Sequence, residues 1–306
     1  MKVLIATQKP FAAQAVKGIR EILEQAGHET VLFENYEGEA ELKAAAAEAD
    51  AMIIRSDKVT RAVMDAAPSL KLVVRAGAGY DNVDLEAATE KGIVVMNTPG
   101  QNSNAVAELA IAMMIYMSRG QFTPATGREI AGRSVGIQAF GNVGRLVGAK
   151  AAALGMKVLA TDPFLSDEQI SKGGAEPVAD VAELYRSCDF VSVHIPATPE
   201  TIASIGYELI SSMPKGAVLV NTARKEVIDE AGLEKALEER PDLKYITDVM
   251  PGNYETLREK FGVRVFATPK KMGAQTAEAN VNAGLAAARQ TVDFFATGCT
   301  KFKVNK

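Results

Sequence analysis

A chain of 306 residues exceeds one typical domain, and a 47% hydrophobic composition supplies enough apolar side chains for two independent cores. The formal net charge of −4 comes without a long run of one sign, which argues against nucleic acid as a partner. No segment approaches the roughly 18 apolar residues of a membrane span, so no membrane is expected either. Two lone cysteines, Cys188 and Cys299, and two histidines, His28 and His194, fall in no disulfide or metal-ligand spacing, so a cytoplasmic protein with reduced thiols and no metal is expected.

From the N terminus, short β-rich apolar runs alternate with helical patterns. That alternation belongs to parallel sheets covered on both faces, so the fold class is α/β. Candidate strands fall at 3–6, 30–33, 51–54, 72–74 and 94–96. Between the first two, Ala15, Ile19, Ile22, Leu23 and Ala26 recur at helical spacing, and Gly27 stops the helix. Pro99-Gly100 interrupts the alternation, and a long helix is expected over 101–119, its Met113, Met114 and Met117 filling core gaps. A second series opens at Val135 and continues with strands at 158–160, 190–193, 218–220, 245–247 and 263–267. An amphipathic helix over 276–296 follows, with Gly298 as its stop.

The opening of the second series carries chemistry. Ser134 to Gly144 reads as a strand running into a glycine-rich turn and a helix, and Asp162 ends the next strand 18 residues after Gly144. This is the wiring of a dinucleotide site: the backbone of Gly141, Asn142 and Val143 approaches a pyrophosphate at the positive end of the helix, and the acid takes the ribose hydroxyls. The same acid repels a 2′-phosphate, which points to NAD rather than NADP. The motif is imperfect, because Ala139 stands where the first glycine of GxGxxG is usual.

A set of motifs in fixed order then gives a resemblance: Arg75-Ala76-Gly77-Ala78-Gly79-Tyr80-Asp81, Met96-Asn97-Thr98-Pro99, the glycine turn, Asp162-Pro163, Val193-His194-Ile195-Pro196, Asn221-Thr222-Ala223-Arg224 and Asp248-Val249. Over nearly its whole length the chain resembles the D-isomer-specific 2-hydroxyacid dehydrogenases, most closely their short phosphoglycerate dehydrogenase branch. The resemblance implies two doubly wound parallel-sheet domains, a Rossmann cofactor domain (99–270) inserted into a flavodoxin-like substrate domain (1–98 and 271–306). It also implies hinges at both crossings and a homodimer built around the long helix after residue 100.

The family assigns substrate binding to the arginine of an NxAR motif, here Arg224, whose planar fork suits a carboxylate and a carbonyl oxygen. Its alternative is a salt bridge to Glu226 or Asp229. In most relatives a histidine follows Thr-Pro after the last strand, and a glutamate raises its pKa. Here Lys270 follows Thr268-Pro269, and Asn253 stands in the glutamate's place. The paired change is coherent, since a carboxylate helps an imidazole reach working pH but holds the proton on an amine. Lys270 is therefore the expected acid and base; Glu255, two positions on, is the alternative acid, and His194 a rival for proton transfer.

Two arginines at strand ends, Arg55 with Ser56 and Arg75 with Ala76 and Gly77, suit a dianion, assisted by Lys271. Surface pairing with Asp57 or Asp81 is their structural alternative. A small phosphorylated hydroxy acid is the expected substrate, and oxidation of 3-phospho-D-glycerate to 3-phosphohydroxypyruvate, the first step toward serine, the expected reaction. The resemblance adds His194, Pro196, Thr222, Ala223 and Asp248 around the nicotinamide and its ribose, closed by Gly273 and Ala274. Competing readings are a reductase for glyoxylate, hydroxypyruvate or D-lactate, and a non-catalytic NAD-binding sensor.

Overall fold

The computed structural model describes residues 1–306, and the chain divides into two compact units, 1–102 with 275–306 and 103–274. Both crossings lie four residues beyond the expected 98/99 and 270/271. The final helix belongs to the first unit.

The first unit is a five-stranded parallel sheet of β1 (Lys2–Thr7), β2 (Glu29–Glu34), β3 (Ala51–Ile54), β4 (Leu72–Arg75) and β5 (Val94–Asn97), in the order β2-β1-β3-β4-β5. Its strands are apolar on both faces because both faces are covered. Val3 and Ile5 of β1 pack with Ala15, Ile19 and Leu23, while Leu4 and Ala6 pack with Leu42 and Ala46 in the opposite layer. The helix Ala277–Thr297 joins the first of these layers through Ala283, Ala287 and Ala288. The chain then returns to the sheet edge: Met96 pairs with Lys303 in an antiparallel bridge, and Asn305 brackets β5 by accepting from Val95 N and donating to Ile93 O, each at 2.9 Å.

The second unit holds seven parallel strands: β6 (Ser134–Gln138), β7 (Lys157–Thr161), β8 (Glu176–Pro177), β9 (Phe190–Val193), β10 (Val218–Asn221), β11 (Lys244–Thr247) and β12 (Val265–Ala267). Their order is β12-β11-β10-β9-β6-β7-β8. The winding reverses between β6 and β9, the switch point at which open α/β sheets bind ligands beyond their carboxyl ends. The expected strand at 263–267 is shorter than predicted, because Gly262–Arg264 forms a 3-10 turn first, and β8 has no counterpart among the expected strands. The helix Ser103–Ser118 lies against this sheet with Met113, Met114 and Met117 buried in its core.

Candidate active site

The dinucleotide turn is built where β6 ends. Ala139 takes a φ of +74°, the left-handed conformation for which the usual first glycine is suited, so the alanine is accommodated at some strain. Gly144 has no such freedom in its packing: a Cβ there would lie 2.2 Å from the Ala139 carbonyl oxygen, so the helix Asn142–Ala153 sits on the turn only because position 144 is glycine. Gly141 faces open space, no side chain caps the helix, and its first turn carries no acid. Backbone N–H groups at a helix start that are left without side-chain acceptors suit a pyrophosphate.

Asp162 follows β7 and braces this turn. Its Oδ2 accepts from Phe140 N at 2.8 Å and its Oδ1 from Phe164 N at 2.9 Å, which leaves lone pairs for ribose hydroxyls. Beside it, Gln138, Ala139, Asp162, Pro163, Val178 and Ile195 help line a pocket of about 600 Å³, whose rim also carries Asp167, Asp180 and Glu200. Farther along, Thr222 is 5% exposed and its Oγ1 has no hydrogen-bond partner. A buried hydroxyl without a partner, an open glycine and an uncapped helix start are what a bound dinucleotide would satisfy, and these residues fit NAD.

The carboxyl ends of β9, β10 and β11 and the loop after β12 carry the rest. His194, one residue past β9, is half-buried; its Nε2 lies 2.9 Å from Ser192 Oγ, and burial pushes its pKa down to about 4. The ring is therefore neutral near neutral pH. Pro196 is exposed, and its carbonyl accepts from Thr201 Oγ1 at 2.6 Å. Asn221 is fully buried and shapes the turn that follows β10: its Oδ1 accepts from Ala223 N and its Nδ2 donates to Arg224 O, both at 2.9 Å. Arg224 is half-buried, with Nη1 donating to Ala223 O at 2.9 Å, and pairs with neither Glu226 nor Asp229.

Thr247 Oγ1 donates to Asn221 O, and Asp248 N donates to the same carbonyl, so β10 and β11 end in one knot. Asp248 is 1% exposed, and its carboxylate accepts from Thr268 Oγ1, Met272 N and Gly273 N. Lys270 stands exposed on the loop thus held. Lys271, also exposed, reaches the Ala223 carbonyl at 3.5 Å, and Ala274 is half-exposed.

The Asn253 amide donates to Glu230 O and Glu234 Oε2 on the helix Glu230–Glu239. Glu255 is exposed on the first turn of the helix Tyr254–Phe261, whereas Tyr254 reaches the end of β12, its hydroxyl accepting from Ala267 N at 3.3 Å. Glu230 pins the same segment by accepting from Gly252 N and Asn253 N. Asn221, Glu230, Tyr254 and Thr268 carry this scaffold; Asn221 and Thr268 were named from sequence only as members of motifs, and Glu230 and Tyr254 were not singled out. An asparagine at a strand end two residues before a small residue, a common shaper of turns, is the one available signal.

In the first unit Arg55 follows β3 and Arg75 ends β4, with different surroundings. The Arg55 guanidinium donates to Lys9 O, Pro10 O and Asn280 Oδ1 and lies over the Phe11 ring, so it braces this unit's own loops. Asp57 forms no ion pair with it and instead accepts from Gln8 N and the Tyr36 hydroxyl. Ser56 beside it is exposed. The Arg75 guanidinium lies across Gly77, where a Cβ would come within 1.4 Å of Nη1, so a glycine is required beneath it. Ala76 is buried between them.

The family model of D-isomer specific 2-hydroxyacid dehydrogenase, catalytic domain, matches residues 10–305. The crystal structure of an NAD⁺-bound 3-phosphoglycerate dehydrogenase of Entamoeba histolytica superposes with a TM-score of 0.88 at 49% identity, covering 100% of this chain and 99% of that one. The D-3-phosphoglycerate dehydrogenase of Methanocaldococcus jannaschii is 38% identical over 261 residues, 79% of this chain and 49% of its own length. That of Rattus norvegicus is 37% identical over 292 residues, 90% of this chain and 54% of its own. The chain spans about half the length of the curated relatives it matches. With the glycine turn, the acid after β7 and the Asn221-Arg224 turn in place, the chain belongs to the D-isomer-specific 2-hydroxyacid dehydrogenases.

Proposed function

We propose that the protein is an NAD-dependent dehydrogenase that oxidises the C2 hydroxyl of 3-phospho-D-glycerate to the ketone of 3-phosphohydroxypyruvate, the first step toward serine. The observation that carries this reading is the knot at the ends of β10 and β11, which mounts the Arg224 turn and the Lys270 loop on one frame in the unit that bears the glycine turn. NAD, when bound, supplies the hydride acceptor. Asp162 takes the adenosine ribose hydroxyls, the backbone of Gly141, Asn142 and Val143 the pyrophosphate, and Thr222 Oγ1 gains the partner it lacks. His194, Pro196, Ala223, Asp248, Gly273 and Ala274 surround the nicotinamide end.

Arg224 binds the substrate carboxylate and the C2 oxygen, and holds them without changing its own charge. Lys270, in its neutral form, takes the hydroxyl proton during oxidation and returns it during reduction. Arg75 is the principal ligand of the phosphate, with Lys271, Ser56, Ala76 and Gly77 at its edges. Arg55 supports them by fixing its own loop. A homodimer built on the helix Ser103–Ser118 belongs to the same reading. Its support is a left-handed turn just past the helix, Gln121 and Phe122 at φ of 58° and 57°, that displays Phe122 at 69% exposure.

The test is NADH formation measured in parallel with 3-phosphoglycerate, 2-hydroxyglutarate, D-lactate and D-glycerate. We expect kcat/KM for 3-phosphoglycerate to exceed the others by at least about tenfold, the worth of one well-placed charged contact. Equal turnover of an unphosphorylated acid, or none with 3-phosphoglycerate, would overturn the assignment.

A further inference from the structure

We propose that Asp57 is a positioning residue: its buried carboxylate holds the loops after β1, β3 and β4 together, so that the phosphate contacts of Arg75 and Ser56 are set before substrate arrives. The inference rests on the phosphate reading given above. These three strands are neighbours in the sheet, and open α/β sheets bind ligands beyond the carboxyl ends of their strands. Asp57 is 3% exposed. Its Oδ1 accepts from Gln8 N, just past β1, at 2.7 Å and from the Tyr36 hydroxyl at 2.6 Å; its Oδ2 accepts from Arg55 N, just past β3, at 3.1 Å. Asn82 brings in the loop after β4. Its Nδ2 donates to Arg55 O at 3.2 Å and to Asp57 O at 2.7 Å, and its carbonyl accepts from Val59 N at 2.9 Å.

A buried charge that forms no ion pair is held by the donors it collects, and it fixes them in return. Tyr36 is a lasting donor, because burial and the neighbouring carboxylate push its pKa up from the ordinary 10. The ring is itself buried and stacks on Phe33 with centroids 5.0 Å apart. The Arg55 guanidinium repeats the tie from the other side: Nη1 donates to Lys9 O and Pro10 O, in the loop that Asp57 grips at Gln8, and Thr7 Oγ1 donates to Lys9 O at 2.6 Å. Loosening Asp57 therefore frees Ser56 directly and, through Asn82, the loop that follows Arg75. The carboxylate lies behind these loops and acts through them. The phosphate takes no part in the hydride or proton transfer, so the cost falls on binding, and KM rises while kcat holds.

The experiment compares Asp57→Asn and Tyr36→Phe, each alone and in an Arg75→Ala background. The readouts are steady-state kinetics on 3-phosphoglycerate and D-glycerate, NADH affinity, and hydrogen exchange of the Gln8 and Arg55 amides. In Asp57→Asn the remaining carbonyl oxygen keeps Gln8 N and the Tyr36 hydroxyl, and the new NH₂ opposes the Arg55 N–H. We expect exchange to accelerate more at Arg55 than at Gln8, and KM for 3-phosphoglycerate to rise about tenfold in Asp57→Asn and about threefold in Tyr36→Phe. The kcat, the NADH Kd and the KM for D-glycerate should stay within about twofold of the parent. In the Arg75→Ala background the further rise in KM should shrink to within about twofold, a lack of additivity that a general loss of stability would not produce. Equal rises in KM on both acids, a fall in kcat at unchanged KM, or rises that multiply with that of Arg75→Ala would overturn the proposal. So would an unchanged KM with Arg55 exchange accelerated. Equal losses on both acids in Arg75→Ala alone overturn the phosphate reading instead, and exchange at Arg55 in Asp57→Asn then decides separately whether the carboxylate holds the loop. Tyr36→Phe removes one hydrogen bond with little change of shape and keeps the test open should Asp57→Asn fail to fold.

Discussion

Arg55 and Arg75 look equivalent in sequence, each ending a strand of the same sheet, and the structure separates them. Arg55 is bound by the carbonyls of Lys9 and Pro10 and by Asn280, whose position 225 residues away no local pattern announces. Arg75 lies over Gly77, whose missing side chain was legible as a glycine but not as the bed of a guanidinium. We predict that Arg75→Ala raises KM for 3-phosphoglycerate about 10- to 100-fold and leaves that for D-glycerate nearly unchanged, because only the former loses charge-assisted hydrogen bonds. Equal losses on both acids would remove the phosphate role. Arg55→Ala should instead destabilise the protein by about 1–3 kcal/mol, read by chemical denaturation. His194 makes a separate prediction. Its folded pKa lies below the ordinary 6.5, near 4, so the unfolded chain binds the proton more readily, and the stability carried by the neutral ring is complete above 6.5 and lost as pH falls toward 4. His194→Gln should flatten the acid limb of the stability profile across that window, and an unchanged limb would contradict the buried neutral ring.

At the scale of elements, the glycine turn shows what spacing reveals and what it hides. The strand, turn, helix and following acid were legible because a pyrophosphate site fixes their order and distance. The link from Asp162 back to Phe140 N was not, since hydrogen bonds across a turn leave no periodicity. Gly144→Ala should push the helix Asn142–Ala153 off the turn, costing about 1–3 kcal/mol and most of the NADH affinity, whereas Ala139→Gly should stabilise the protein by about 0.5–1 kcal/mol by removing a left-handed alanine. Thermal melts with NADH titration decide both, and a destabilised Ala139→Gly would show that the turn carries no strain. Strand β8 escaped prediction because two residues cannot establish an alternation, and residues 263 and 264 were misread because an apolar residue in a 3-10 turn looks like the start of a strand. The bracket on β5 is equally invisible from sequence. Asn305→Ala removes both of its backbone contacts and should cost about 1–3 kcal/mol, measured by urea denaturation.

Across the whole molecule, alternating runs of apolar residues determined the fold class, and Pro99-Gly100 marked the change from one sheet to the other within a few residues of the observed crossing. The final helix could not be assigned from periodicity alone; its layer of alanines against Ala15, Ile19 and Leu23 places it in the first unit. The Arg224 turn and the glycine turn were readable as motifs. The frame that joins Arg224 to the lysine loop was not, because Asn221, Asp248 and Thr268 meet only after three separate strands have paired. The function proposed here depends on the Lys270 amine taking the place of the imidazole expected from the family. The most direct test is turnover of 3-phosphoglycerate with NAD by Lys270→Ala beside the parent protein, followed at the NADH absorbance band, with NADH affinity measured on both. The account predicts a loss of turnover of about 100-fold or more, the usual worth of a general acid or base, with NADH affinity nearly intact; turnover equal to that of the parent would contradict it.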